Sequence, residues 1–244
     1  MNKEQGTRNK VLYFTILILA ILSTSYALVL TVHYRIPDKI FARLIGKQIV
    51  DPTWSNMYEG MVAISEKSIK HPDIIMLGDS ITYGLQWNDH FSSTIFNRGI
   101  GGDRTNGVLN RLDDIIKSKP QKVFIMIGIN DISAGIKTEE IIENTKSIIM
   151  KLRSNSITPF VQSVLYVTRE YKHPKFTTKR INDSVDIINK AITQYCLENG
   201  IQYLDINSLL DDDHYLNMEY SYDNIHLNNR GYEIWINELR NYIN

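Results

Sequence analysis

Five residues from four separate stretches of the sequence carry the groups that acyl transfer requires. Ser80, which follows a short apolar run, could act as a nucleophile, and His226 could act as its base. Asp223 precedes the histidine by three residues, so one turn of chain could let its carboxylate orient the imidazole. The backbone N–H groups of Ser80 and Gly102, with the side-chain amide of Asn130, could stabilise a developing oxyanion.

Each of these residues also has an ordinary structural explanation. Ser80 could belong to a plain helix cap, Gly102 could serve a turn with positive φ, and a lone His226 could be a satisfied core or surface residue. Asp205 could orient the histidine instead of Asp223, although it is better placed to cap the turn that follows it. Convergence of all four stretches at one edge of the fold would favour catalysis over four unrelated structural roles.

The elements predicted around these residues alternate between strand and helix. A buried strand is predicted at 74–78, between Pro72 and Gly78, and similar apolar runs lie at 95–96, 123–127, 159–165 and 201–206. Helical patterns cover 105–117, 138–153, 178–199 and 228–242. This alternation predicts a parallel sheet covered by helices on both faces. In such sheets a ligand binds beyond the carboxyl ends of the strands, which is where three of the four stretches fall, while the fourth precedes the last helix.

The four stretches resemble the four sequence blocks of the SGNH hydrolases, also called the GDSL esterase and lipase family. They read Gly-Asp-Ser-Ile-Thr from Gly78, Arg-Gly-Ile-Gly-Gly-Asp-Arg-Thr from Arg98, Gly-Ile-Asn-Asp from Gly128 and Asp-Asn-Ile-His from Asp223. Residues 97–112 are similar to the branch that contains the platelet-activating-factor acetylhydrolase catalytic subunits and bacterial carbohydrate acetylesterases. The resemblance extends over about residues 73–242 and rests on all four blocks occurring in order.

The resemblance implies a flavodoxin-like three-layer α/β/α sandwich with a five-stranded parallel sheet, and a site without metal or cofactor. It implies that Ser80 is the nucleophile, that Asp223 and His226 are the acid and base, and that Ser80, Gly102 and Asn130 donate to the oxyanion. Tyr166 departs from the related branch, where proline is usual, so the resemblance does not predict the shape of the substrate rim.

The activity implied by the resemblance is hydrolysis of short-chain esters, with O-acetyl groups of a carbohydrate or cell-envelope glycan as the expected substrate. An O-acetyltransferase using the same triad and a lysophospholipase or thioesterase are the alternatives. A catalytically silent glycan-binding module is a further alternative from another class, and the complete triad argues against it.

The N-terminal part of the chain predicts a membrane anchor. After a tail of residues 1–10, residues 11–32 contain no charged side chain and would form a helix about 33 Å long, enough for a hydrocarbon core of roughly 30 Å. A secretory signal peptide is the competing interpretation, because Ser25-Tyr26-Ala27 loosely fits a cleavage site. A basic connector, 33–52, leads to the hydrolase domain, 53–244, which we expect outside the cytoplasm.

The remaining composition excludes several function classes. Lysine plus arginine equals aspartate plus glutamate at 27 each, so no overall field favours nucleic acid. Cys196 is the only cysteine and falls in an apolar helical pattern, which predicts a core residue. The run Asp211-Asp212-Asp213-His214 lacks the spacing of known metal motifs and predicts a solvated loop. The composition leaves the oligomeric state open.

Overall fold

Five short segments form a parallel sheet in the computed structural model, which describes Gly60 and residues 71–243. The strands are β1 (Ile74–Gly78), β2 (Ile95–Gly99), β3 (Lys122–Met126), β4 (Thr158–Gln162) and β5 (Gln202–Leu204). Their order in the sheet is β2-β1-β3-β4-β5, the order found in flavodoxin-like sheets. The chain therefore builds outward from β1 in one direction, returns, and continues from β3 in the other.

Helices connect the strands and cover both faces of the sheet. They are α1 (Ser80–Tyr83), α2 (Thr105–Lys117), α3 (Ile129–Ala134), α4 (Thr138–Ser154), α5 (Thr178–Glu198), α6 (Ile206–Leu210) and α7 (Asn229–Leu239). Two 3₁₀ helices occupy Trp87–Asp89 and Met218–Tyr220. Crossovers between parallel strands are almost always right-handed, so the helices that follow the chain toward β2 and those that follow it toward β5 lie on opposite faces of the sheet. The predicted α/β fold is confirmed.

The core follows from this double covering. Every residue of β1 is buried, and so are Val123, Phe124, Ile125 and Met126 of β3. A strand shielded on both faces has no polar side, which explains why these segments read as continuous apolar runs. Burying each large aliphatic side chain contributes about 1.5–3 kcal/mol. Cys196 is fully buried in this core, as the sequence predicts.

The predicted segments match the observed ones best in the helices. The predicted helix 105–117 is confirmed at both ends, and the predicted helix 228–242 ends earlier, at Leu239. Strand β4 ends at Gln162 although the apolar run continues to Leu165. Beyond it, asparagine side chains replace strand neighbours as acceptors: Val164 N–H donates to Asn189, Tyr166 N–H to Asn207 and Val167 N–H to Asn182.

The predicted N-terminal features lie outside the described residues. These are the tail 1–10, the membrane segment 11–32, the connector 33–52 and the start of the domain 53–244, apart from Gly60. In the part of the chain from 71 to 243, none of the helices has the length and apolar character needed to cross a bilayer.

Candidate active site

The turn that presents Ser80 is built where β1 ends. Gly78 lies between Gly99 of β2 and Met126 of β3, and a Cβ on Gly78 would come within 2.3 Å of the Met126 carbonyl oxygen. Only glycine fits this close approach. Helix α1 then begins at Ser80 because the Asp79 carboxylate accepts a hydrogen bond from Ile81 N–H at 3.0 Å.

A continuous chain of hydrogen bonds joins Ser80, His226 and Asp223. The distance from Ser80 Oγ to His226 Nε2 is 2.8 Å, and the distance from His226 Nδ1 to Asp223 Oδ2 is 2.6 Å. The imidazole and carboxyl side chains are 26% and 37% exposed. The structure thus brings together the three residues predicted as nucleophile, base and acid, whereas Asp205 accepts a hydrogen bond from Ser208 N–H and caps α6.

The turn that carries Asp223 and His226 is fixed from a neighbouring loop. Asn224 has a φ of 78°, a left-handed conformation that asparagine tolerates better than most residues. Thr168, which is fully buried, donates its N–H to the Asn224 carbonyl at 3.0 Å and its hydroxyl to Asn224 Oδ1 at 2.9 Å. Ser221 Oγ donates to the His226 carbonyl at 2.7 Å. These contacts hold the imidazole in reach of Ser80.

The environment of Asp223 keeps its carboxyl group ionised. Partial burial acts to raise its pKa, but hydrogen bonds from the His226 side chain and from the N–H groups of His226 and Ile225 outweigh it, so the pKa lies below its usual value. An ionised carboxylate accepts from the protonated Nδ1 and leaves Nε2 as the acceptor that faces Ser80. The Tyr222 ring stacks on the imidazole, with centroids 5.8 Å apart.

The two other predicted oxyanion donors lie on segments that meet the same edge of the sheet. Gly102 has a φ of 68° in the loop between β2 and α2, where a side chain would be strained. Ile100 N–H ties this loop to the Gly78 carbonyl at 3.1 Å. Asn130 Nδ2, at the start of α3, donates to the Asp103 carbonyl at 3.0 Å. An amide nitrogen has two N–H groups, so this bond leaves one for another acceptor.

Arg111 supports the site, a role that the resemblance over residues 97–112 does not assign to it. Its guanidinium is buried and donates to the carbonyls of Gly78 and Arg98, at 3.2 and 2.9 Å, and to Asp103 Oδ2. It therefore links the ends of β1 and β2 with the loop that carries Gly102. A signal was available, since Arg111 occupies the buried face of α2 among the aliphatic residues Val108, Leu112 and Ile115.

Buried carboxyl groups surround the nucleophile turn. Burial raises the pKa of Asp79 to about 7, and the nearby carboxylates of Asp103 and Asp131 add to the effect. Burial also raises the pKa of Asp131 to about 6, although Thr105 donates both its N–H and its hydroxyl to that carboxylate. The buried Arg111 forms an ion pair with Asp103.

A cavity of about 610 Å³ opens beside Ser80 and His226. Its other walls come from the turn after α1 and from the segment around the start of α7, and they include Gly84, Leu85, Glu219, Tyr222, Leu227, Asn228, Asn229, Arg230 and Tyr232. Tyr166 does not line this cavity, because it is buried elsewhere with its hydroxyl donating to Asp186.

Within residues 71–243, no group of three or more His, Cys, Asp and Glu side chains is arranged to hold a metal ion.

Known proteins with related sequences cover most of the described part. N-acylneuraminate cytidylyltransferase of Streptococcus agalactiae serotype III is 26% identical over 173 residues, which are 68% of this chain and 39% of that protein. The chain thus spans about two fifths of the length of this relative. Platelet-activating factor acetylhydrolase IB subunit alpha1 of Rattus norvegicus is 26% identical over 191 residues, 75% of this chain and 78% of that protein.

A solved structure and a family model are also similar to this chain. An acetylxylan esterase from Geobacillus stearothermophilus has a similar fold, with a TM-score of 0.58 and 17% identity over 71% of this chain and 95% of that chain. The sequence model of the GDSL-like lipase/acylhydrolase family matches residues 76–234, a segment that contains Ser80, Gly102, Asn130, Asp223 and His226. The chain therefore belongs to the GDSL-like lipase/acylhydrolase family.

Proposed function

We propose that the protein is a membrane-anchored serine esterase that removes short acyl groups, principally acetyl, from a carbohydrate of the cell envelope. The observation that carries this proposal is the hydrogen-bonded chain from Asp223 through His226 to Ser80. The names of two similar proteins, an acetylhydrolase and an acetylxylan esterase, support acetyl esters as the substrate class. Nucleic acid is not among the proposed partners, and neither metal nor cofactor takes part in the proposed reaction.

In the first half of the proposed reaction Ser80 Oγ attacks the ester carbonyl carbon while its proton moves to His226 Nε2. The carbonyl oxygen becomes an oxyanion, to which the N–H groups of Ser80 and Gly102 and the amide of Asn130 donate. When the intermediate collapses, the bond to the alcohol oxygen breaks and His226 returns its proton to that oxygen. The ionised Asp223 stabilises the imidazolium between these steps.

The second half repeats the chemistry with water. His226 takes a proton from a water molecule, whose oxygen attacks the acyl carbon attached to Ser80. Collapse of this second intermediate breaks the bond to Ser80 Oγ, and His226 gives the proton back to the serine. Acetate leaves and the free enzyme is restored.

Replacing the serine tests the nucleophile directly. We expect Ser80→Ala to lower hydrolysis of 4-nitrophenyl acetate by about a thousandfold or more and to abolish labelling by a fluorophosphonate probe. Ser154→Ala, at the exposed end of α4, serves as the matched control and should label like the wild type. Wild-type rates in the Ser80 variant would rule out the proposed acyl-enzyme, and a preference for long-chain over acetyl esters would favour a lipid substrate instead.

Attachment to a membrane is the second part of the proposal. Residues 11–32 carry no charged side chain and are long enough as a helix to span a bilayer, which supports a single anchoring segment. The catalytic domain would then lie outside the cytoplasm, where envelope glycans are found.

A further inference from the structure

The cavity beside Ser80 lies on the side from which the alcohol leaves. His226 must give its proton to the alcohol oxygen, so that oxygen has to reach Nε2 as the ester bond breaks. The cavity is lined by His226 itself and continues along Leu227 and Arg230. It is therefore placed to hold the alcohol half of the ester, and the chemistry of its lining residues indicates which kind of alcohol it binds.

These walls are charged and aromatic. Arg230 is exposed, and its guanidinium makes no hydrogen bond or ion pair with any residue that the structure describes. The Glu219 carboxylate is likewise without a partner in that part of the chain. Tyr222 is 71% exposed and presents its ring at the same cavity. An alkyl chain placed here would remove water from two ionic groups without replacing their hydrogen bonds, which is costly.

The position of Arg230 in its helix is unfavourable for the fold. It lies in the first turn of α7, where the helix dipole is positive, and that turn contains no acidic residue. The Asn228 side chain caps this end by accepting from Gly231 N–H, but the charge of Arg230 is still repelled by the positive end of the dipole. Both Arg230 and the helix end would instead be stabilised by an anion bound in the cavity.

We propose that the alcohol released by this enzyme is a sugar unit bearing an anionic group, a carboxylate or a phosphate, and that Arg230 binds that group. The inference rests on the proposed esterase function and narrows its substrate class. A guanidinium binds either anion through paired N–H groups. Tyr222 provides an aromatic surface for the sugar ring, and Glu219 accepts hydrogen bonds from sugar hydroxyls.

Matched acetyl esters test this assignment on the full-length protein. The probes are methyl 3-O-acetyl-galactoside, the corresponding 6-carboxylate and the corresponding 6-phosphate, which differ only at one carbon. We expect the wild type to show a kcat/KM at least about tenfold higher for one or both anionic probes than for the neutral one, an advantage that shrinks as salt is added. The better anionic probe identifies whether carboxylate or phosphate is the recognised group.

Two variants at Arg230 isolate its contribution. Arg230→Gln should lower the ratio of kcat/KM between the anionic and neutral probes about tenfold, and Arg230→Lys should restore part of that ratio, because lysine retains the charge. Arg153→Gln, near the opposite edge of the sheet, removes the same charge and should leave the ratio at the wild-type value.

The outcomes separate this inference from the proposed function. An equal loss on all three probes in Arg230→Gln, or a wild type that prefers the neutral probe, would overturn the anionic substrate while leaving the esterase intact. A wild type that hydrolyses none of the probes and is not labelled by a fluorophosphonate would instead show that the proposed function itself is wrong.

Discussion

Asp79 is a residue whose buried carboxyl group makes the protein sensitive to pH. Its pKa of about 7 in the folded state lies above the ordinary value of 3.8, because burial disfavours the charged form. The folded state therefore holds a proton between about pH 4 and pH 7 that the unfolded chain has already released. Stability contributed by this protonated group is present at low pH and is lost as the pH rises through that range.

We expect Asp79→Asn to be more stable than the wild type at pH 8 by about 2–4 kcal/mol, and the difference to shrink toward pH 4. Asparagine keeps the oxygen that accepts from Ile81 N–H but cannot ionise. Urea unfolding at several pH values measures the difference. Asp89→Asn, at an exposed site, leaves Asp79 in place and should retain the wild-type pH dependence of stability. A pH dependence of Asp79→Asn that runs parallel to that of the wild type would refute the role of Asp79.

Arg111 connects the secondary-structure elements that carry the candidate site. It joins the ends of β1 and β2 to Asp103, the residue after Gly102, and Asn130 donates to the carbonyl of the same Asp103. The backbone that carries one proposed oxyanion donor is thus held from α2 on one side and from α3 on the other. An oxyanion site must be rigid before the reaction starts, so we infer that Arg111 is a positioning residue.

Arg111→Lys should lower kcat for 4-nitrophenyl acetate about tenfold or more and change KM less than about threefold. Lysine can still pair with Asp103, but it cannot also donate to both carbonyls in the fixed geometry of a guanidinium. Thermal unfolding checks that the variant is folded. Arg111→Met should instead lose about 3–5 kcal/mol of stability, because it removes the cationic partner of a buried ion pair with Asp103. A folded Arg111→Lys enzyme with wild-type kcat would exclude the positioning role.

At the scale of the whole molecule, the sequence predicts the sheet and the candidate residues better than it predicts the contacts between them. Short blocks predict Ser80 and His226 as candidates, because the residue types and their order are themselves the signal, and the structure places the two side chains 2.8 Å apart. The early end of β4 was missed, since it depends on asparagine side chains from α5 and α6 that are distant in sequence. The same holds for Arg111, whose partners come from three different segments.

Membrane attachment is a prediction for the whole chain. We expect the full-length protein to remain in the membrane fraction after an alkaline carbonate wash. Leu19→Arg combined with Ile21→Arg should release it, because each central charge costs about 2.5–3.5 kcal/mol on insertion. Ile187→Arg with Leu197→Arg, at exposed positions of the folded domain, adds the same charge and should stay in the membrane fraction. A double variant of 11–32 that still resists the wash would contradict the anchor.

The positions of the three proposed catalytic residues along the chain have a consequence for synthesis. The contact between Ser80 and His226 joins residues 146 positions apart, whereas His226 and Asp223 are only three apart. A nascent polypeptide that has left the ribosome as far as β5 already contains Ser80, but it still lacks Asp223 and His226. On the proposed mechanism, we expect the growing chain to be inactive until the segment that carries Asp223 and His226 packs against the turn that carries Ser80.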